Sequence, residues 1–325
     1  MKHITILVPE TAIPACIIDP RYMFTAVNNF LKKDNKPPQF KVQLAGLSKK
    51  IELNDGSVSI NTDAHIRDIK KTDLIIIPAI SGDVKSALAL NKDFVPWIVQ
   101  QYKSGAEVAS LCIGAFMLAE TGLLNGKICS THWLYTDLFR TMYPQVNVAD
   151  DKIITIQNGL YTSGGATSYW NLLLYLVEKY TDREMAIMAS KFFLLDISRN
   201  TQSPFIMFRG QKEHDDCEIL KAQEFIELHY QDKITIDLLS GKFGMVRRTF
   251  ERRFKKATSN TVIEYMQRVK TEAAKKELEQ GRKTVNEVMY DIGYNDAKAF
   301  RDVFKKITGM SPIDYRNKYQ KIAFA

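Results

Sequence analysis

The stretch RRTFERRFKKATSNTVIEYMQR at 247–268 recurs as AKAFRDVFKKITGMSPIDYRNK at 297–318, fifty residues on and without a gap. Phe250 matches Phe300, Phe254 matches Phe304, and Lys255-Lys256 match Lys305-Lys306. Thr258 falls on Thr308, Ile263 on Ile313, and Tyr265 on Tyr315. A self-match at fixed spacing means one supersecondary unit used twice. This end of the chain must therefore fold as a doubled helical unit.

Each unit reads as two short helices joined by a turn. In the second, the pattern predicts a helix over 285–292 stopped by Gly293, then a helix capped by Asp296 that turns Phe300 and Phe304 inward. In the first, TIDLLSGKFGMVRRTFERRFKK repeats the plan, with Phe250 and Phe254 inward and Arg247, Arg248, Glu251, Arg252 and Lys255 outward. That is a helix-turn-helix, whose second helix can enter a major groove. Between the units, residues 262–280 favour helix throughout and end at Gly281. Nineteen helical residues span roughly 28 Å, close to the ~34 Å turn of B-DNA. A rod of that length holds two reading helices in successive grooves.

Charge agrees with this reading. Residues 241–325 hold 20 Lys+Arg against 10 Asp+Glu, so this part carries +10 of a chain whose total is +8. The first 240 residues are left at −2. A basic end on a nearly neutral body points to a polyanion partner for that end alone.

The front of the chain alternates strand and helix. HITILVP, FKVQLAGLS, TDLIIIPAISGD, AEVASLC and IITIQNGLYTSGG read as strands, and IELNDGSVSINTD as a hairpin turning at Asp55-Gly56. Helices are predicted over 20–33, from the loop after Gly82 to about residue 103, over IGAFMLAETGLL, and over YWNLLLYLVEKY. A further helix, DREMAIMASKFFLLDI, is more apolar than one buried face requires; it reads as a buried core helix, with a dimer contact as the alternative. The alternation predicts an α/β fold, a mostly parallel sheet with helices on both faces. Its ligand site lies beyond the carboxyl ends of the strands, where Ser81-Gly82, Cys112 and Gly164-Gly165 gather. The expected layout is a front domain over 1–195, a linker over 196–215 and an all-α domain over 216–325.

No run approaches the ~18 apolar residues of a membrane helix, and MKHITILVPE is too short an apolar stretch for a secretory signal. Four cysteines at unrelated spacings suggest neither a disulfide framework nor zinc, and the five histidines are scattered. The expectation is a cytoplasmic protein with no metal and no cofactor.

With these motifs in place, residues 216–320 resemble the AraC-type DNA-binding domain, most specifically in DIGYNDAKAFRDVFKKITGMSPIDYR. The resemblance implies double-stranded promoter DNA as partner. Arg248, Arg252, Lys298 and Arg301 would reach base edges, and Arg247, Lys255 and Lys305 phosphates. Val246 stands where a capping Ser or Thr is usual, Ser259 where glycine is expected, and Asp302 where Arg is common.

The front half is similar to the PfpI/ThiJ superfamily, of the class I glutamine amidotransferase-like (flavodoxin-like) fold, through Cys112 with Gly114, AETGLLNGK, STHW with His132, and TSGGATSYWNLLLYLVE. Both halves together resemble the GlxA-like transcriptional regulators. That resemblance implies a small-molecule effector, a homodimer and contact with RNA polymerase. The residues expected at the effector are Cys112, Ile113, His132, Cys16, Gly82 and Gly165. A thiol at a helix start has a lowered pKa and neighbouring amides able to form an oxyanion hole. Catalysis also needs a base and a group to orient it. Ile113 stands where peptidase-like relatives have histidine, Cys16 where many members have glutamate, and Asn171 where regulators often have Asp; Glu10 is out of register. The triad does not close, so no catalytic residue is assigned. Cys112 remains open to three roles: an effector contact, a packing residue, or the nucleophile of a hydrolase or lyase with an appended DNA-binding module. A front domain that only dimerises is a further alternative.

Overall fold

The computed structural model describes residues 1–198 and 200–320; the last five residues of the expected C-terminal domain lie outside them. The chain divides into two compact units, Met1–Gln202 and Ser203–Ala325. The stretch 196–215 is shared between them. The buried Gln202 bonds to Thr131 and Lys152 of the first unit, while the Phe208 amide donates to Glu272 of the second.

The first unit runs β1 (Lys2–Leu7), α1 (Ala15–Lys33), β2 (Phe40–Gly46), β3 (Lys50–Leu53), β4 (Val58–Asn61), β5 (Ala64–His65), β6 (Leu74–Ile77), α2 (Val84–Leu90), α3 (Phe94–Lys103), β7 (Glu107–Ser110), α4 (Ala115–Glu120), β8 (Ile128–Cys129), α5 (Thr136–Met142), β9 (Asn147–Val148), β10 (Ile154–Gln157), β11 (Leu160–Ser163), α6 (Tyr169–Tyr180) and α7 (Arg183–Phe192). Seven strands form one sheet in the order β10-β11-β7-β6-β1-β2-β5. Every neighbouring pair is parallel except β10–β11. The register follows from apolar pattern: all four residues of β6, Leu-Ile-Ile-Ile, are buried, which requires cover on both faces. Helices pack in two groups, α1 with α6 and α7, and α4 with α2 and α3. The predicted hairpin is β3–β4, where Asn54, Asp55 and Gly56 all take positive φ.

Three local expectations are corrected. The single helix predicted up to residue 103 is two, because the side chain of buried Asn91 accepts from the Glu10 amide and donates to Thr11 and the Ala87 carbonyl, halting α2. The helix over IGAFMLAETGLL stops at Glu120, and Gly122 reverses the chain at φ +72°. The expected core helix DREMAIMASKFFLLDI is only half covered. On α7 Met185, Ala186 and Ala189 are buried, while Ile187, Met188 and Phe192 face solvent.

The second unit is helical: α8 (Cys217–Leu228), α9 (Ile236–Lys242), α10 (Arg247–Thr258), α11 (Val262–Gln280), α12 (Val285–Asp291), α13 (Ala297–Thr308) and α14 (Pro312–Tyr319). The repeat survives in atomic detail. Thr258 and Thr308 each donate to the carbonyl four residues back at 2.8 Å. Each hydroxyl then accepts the amide two residues on, Asn260 or Met310, at 3.2 Å. Tyr265 and Tyr315 lie edge-on to Phe254 and Phe304. Two separate cores result, one around Phe250, Phe254 and Tyr265, the other around Phe300, Phe304 and Tyr315. Helix α11 contributes to both and ends at Gly281 with φ +68°, where a left-handed residue closes the helix. Among the described residues no helix is long and apolar enough to cross a membrane.

Candidate functional site

Strand β7 ends at Ser110, and the chain turns through a 3-10 turn at Cys112–Gly114 into α4. The turn is sharp. Cys112 has φ +54°, a left-handed conformation that costs a non-glycine residue roughly 1–2 kcal/mol. Gly114 is required by space instead: a Cβ there would lie 2.5 Å from the Pro78 carbonyl oxygen and 2.8 Å from that of Ile77. The elbow is thereby pressed onto the end of β6.

This geometry changes the chemistry of the thiol. Cys112 is only 5 % exposed, and burial, with Cys16 adding to it, pushes its pKa up to about 12. The lowered pKa expected of a cysteine at a helix start is therefore corrected: desolvation of the thiolate outweighs the dipole of a short helix. Nearby amides are also engaged. The Cys112 N–H donates to Ser163 Oγ at 3.3 Å and the Gly114 N–H to the Leu111 carbonyl at 2.8 Å, while that of Ile113 faces the Cys112 sulfur.

Of the other expected residues, Cys16 is brought into electrostatic range of Cys112. Burial raises its pKa to about 11, and it stands beside Tyr169, whose hydroxyl donates to Asp19 at 2.6 Å. Ile113 is buried next to the thiol. His132 is half-buried, with its pKa lowered by burial. Its Nδ1 accepts from the Leu134 amide at 3.1 Å, and no hydrogen bond joins it to Cys112 among the described residues. Its neighbour Thr131 does reach the thiol residue, donating to the Cys112 carbonyl at 3.3 Å. Gly165 is buried at φ +67° against Ser168 and Gln202, while Gly82 lies exposed at φ +79° with no close neighbour. Glu10 is exposed. Two cavities of the front unit lie elsewhere: one of about 540 Å³ between Tyr22, Phe30 and Phe192, another of about 580 Å³ between Arg67, Trp97 and Gln101. Among the described residues no cluster of three or more His, Cys, Asp or Glu is placed to hold a metal. Sequence reasoning missed the roles of Ser163, which lies inside the TSGGATSYWNLLLYLVE stretch but gave no sign of its bond to Cys112, and of Gln202, which reaches the site from a distant position and carries no motif.

In the second unit, Arg247, Arg248, Arg252 and Lys255 on α10 and Lys298, Arg301 and Lys305 on α13 are all exposed. Arg247 is held in ion pairs with Asp237 at 3.3 Å and Glu251 at 3.6 Å. Among the described residues no ion pair engages Arg248, Arg252, Lys298 or Arg301, leaving these cations available to a polyanion. Arg253 serves the fold instead, gripping Asp216 at 2.6 and 2.9 Å. The two helices differ at their ends. Asp296 accepts from the amides of Lys298 and Ala299, whereas Val246 caps nothing with its side chain. Ser259 takes φ +58° where Gly309 takes +73° at the same place in the other unit.

The DJ-1/PfpI family matches residues 23–179, and a helix-turn-helix domain matches residues 239–318. The transcriptional regulator GbdR of Pseudomonas aeruginosa is 24% identical over 272 residues, covering 82% of this chain and 72% of GbdR. The regulator GlxA of Rhizobium meliloti is 19% identical over 218 residues, 66% of each chain. A Vibrio parahaemolyticus structure, proposed as that of a transcriptional regulator, shares the front fold with a TM-score of 0.53 at 20% identity, covering 59% of this chain and 98% of that one. The chain joins a DJ-1/PfpI domain to an AraC-type helix-turn-helix domain. It is a DNA-binding transcriptional regulator of the helix-turn-helix type.

Proposed function

We propose that the front domain senses a small molecule without catalysing a reaction, and that its occupancy alters how the C-terminal unit binds promoter DNA. The observation that carries this reading is the state of Cys112: buried, held protonated, the Cys112 and Gly114 amides engaged, and no base bonded to it among the described residues. The effector would contact Cys112, Ile113, Cys16, His132 and the Gly82 and Gly165 loops at the carboxyl edge of the sheet. On the DNA side, Arg248, Arg252, Lys298 and Arg301 would read bases, with Arg247, Lys255 and Lys305 on phosphate. Val246, with no side-chain cap, makes α10 the weaker contact of the two. The exposed apolar face of α7, with Tyr22 of α1 beside Phe192, favours a homodimer. The protein would act in the cytoplasm and meet RNA polymerase at the promoter.

One feature favours a second reading. The strained φ at Cys112 is the kind of outlier found at active sites, and it keeps a hydrolase or lyase with an attached DNA-binding module in view. A screen of metabolites by thermal shift and operator binding separates the two. A sensor gains stability with ligand, about 2.7 kcal/mol at 100 times Kd, and changes operator affinity about 5- to 150-fold. Turnover of amide, glyoxal or isonitrile substrates that vanishes in Cys112→Ser would establish the enzyme instead.

A further inference from the structure

The two helix-turn-helix cores are separate, and α11 is the helix they share. A helix is stiff but bends gently along its length, whereas base readout demands placement to about half an ångström. A second brace across both cores would remove that freedom, and the second unit contains one. The segment 203–211 runs along α11 from the second core to the first. At one end Pro204 is buried and the Phe205 ring lies edge-on to Tyr319 at 6.4 Å, with Lys318 over its face. At the other end the Phe208 ring meets Tyr265 edge-on at 5.1 Å. The Gln211 carbonyl there accepts from Gln223, and its side chain from Asn260.

Between these anchors lies an ion pair. Lys275 Nζ donates to Glu272 Oε2 at 2.8 Å and to the Ile206 carbonyl at 2.6 Å, while Glu272 Oε2 accepts the Phe208 amide at 3.1 Å. Lys275 is 3 % exposed. An apolar pair would serve as well or better if packing were the whole need, because buried ions recover little net stability. What this pair adds is register: the cation selects a carbonyl, the carboxylate selects an N–H two residues on, and the segment cannot slide along α11 without losing both. Tyr265, Arg268, Glu272 and Lys275 follow at spacings of three, four and three, one stripe of the helix. Arg268 extends it by lying over the Phe208 ring.

We propose that residues 203–211 are a clasp, and that Lys275 and Glu272 are positioning residues which fix the two reading helices as one rigid body on DNA. The test uses the full-length chain and duplexes it selects from a random pool. From a selected duplex, variants are made with one or two base pairs inserted between the contact patches, and another with one patch scrambled. Two rigidly joined modules gain from effective concentration and lose it when spacing is wrong. Wild type should therefore lose about 100-fold on insertion. Lys275→Met should bind the parent duplex about tenfold more weakly, lose less than tenfold on insertion, and bind the single-patch duplex as wild type does. Lys275→Arg should restore most of the spacing penalty. Phe205→Ala and Glu272→Gln repeat the comparison should Lys275→Met fail to fold. An unchanged spacing penalty in these variants, or equal weakening on single- and double-patch duplexes, would overturn the clasp. Selection of no duplex by wild type would strike the DNA-binding assignment itself, and the clasp with it.

Discussion

The first unit encloses Cys112 at the foot of a packed elbow and keeps its proton on, whereas the second leaves Arg248, Arg252, Lys298 and Arg301 exposed along α10 and α13. Cys112 precedes α4 directly, and Arg248 and Lys298 lie in the first turns of α10 and α13, so a helix start alone does not decide their chemistry. Depth decides it. A thiol at the end of β7 is surrounded by buried strands, and desolvation outweighs the dipole of α4. A cation on the outer face of α10 keeps its hydration until a phosphate replaces it. The same contrast separates a residue read through its surroundings from one read through its reach.

The largest effect that would sharpen this contrast is at the elbow. Gly114→Ala places a Cβ against the Pro78 and Ile77 carbonyls, and the Ile77 carbonyl cannot yield without losing the bond it accepts from the Leu111 amide. It should destabilise the first unit by about 3 kcal/mol, with the second unit unchanged. Urea denaturation followed separately by the two units' signals checks this; equal loss in both would mean they do not fold independently.

On the DNA side, Arg248→Ala or Arg252→Ala should cost about 1–3 kcal/mol on the selected duplex and relax preference at one base position. Lys255→Ala or Lys305→Ala should weaken all sequences alike and lower the salt dependence by about one unit of slope. Titrations at several salt concentrations distinguish the two classes. Identical behaviour of Arg252→Ala and Lys255→Ala would erase the assigned division of roles.

Smaller changes test the inequality of the two reading helices. Val246 already has the extended backbone of a capping residue, φ −69° and ψ 137°, and is 76 % exposed. Val246→Thr should stabilise the second unit by about 1 kcal/mol, and Asp296→Ala should cost about as much. Ser259→Gly relieves a left-handed residue and should add somewhat less than 1 kcal/mol, because glycine also frees the unfolded chain. Denaturation midpoints measure all three.

Acidification probes other helix starts of the same unit. The side-chain bond from Arg253 holds the Asp216 carboxyl below the usual range, and the backbone amides of Thr261 and Thr284 do the same for Glu264 and Glu287. Carboxyls depressed in the folded state contribute stability that is present above their unfolded pKa, about 4, and lost as pH falls through the folded value. The second unit should thus weaken below about pH 4, with Arg253→Met removing part of that dependence.

How much of this could be read from the chain depended on distance along it. The repeat placed α11 and the stop at Gly281, because helix propensity, a cap and an inward Phe pair are local signals. The alternating apolar runs placed β1, β6, β7 and the hairpin at Asp55-Gly56 for the same reason. The break between α2 and α3 was hidden, since Asn91 is held by Glu10 and Thr11, some eighty residues away. The half-exposed α7 was misread because its apolar residues exceed what one chain buries. At the candidate site, the motif located the elbow but not its depth, and depth is what raises the Cys112 pKa. The pairing of Lys275 with Ile206, sixty-nine residues apart, gives no signal along the sequence at all.

That the buried Cys112 thiol does not act as a nucleophile is decided by the pH dependence of alkylation in the native full-length chain, followed site by site by mass spectrometry. Cys217, exposed at the start of α8, serves as the internal reference. The structure predicts that iodoacetamide modifies Cys217 at neutral pH while Cys112 stays unmodified. The Cys112 rate should still climb about tenfold per pH unit at pH 9, far below its pKa of about 12. A Cys112 adduct that forms at pH 7 ahead of Cys217, with a rate already level by pH 8, would show a reactive thiolate and contradict this account.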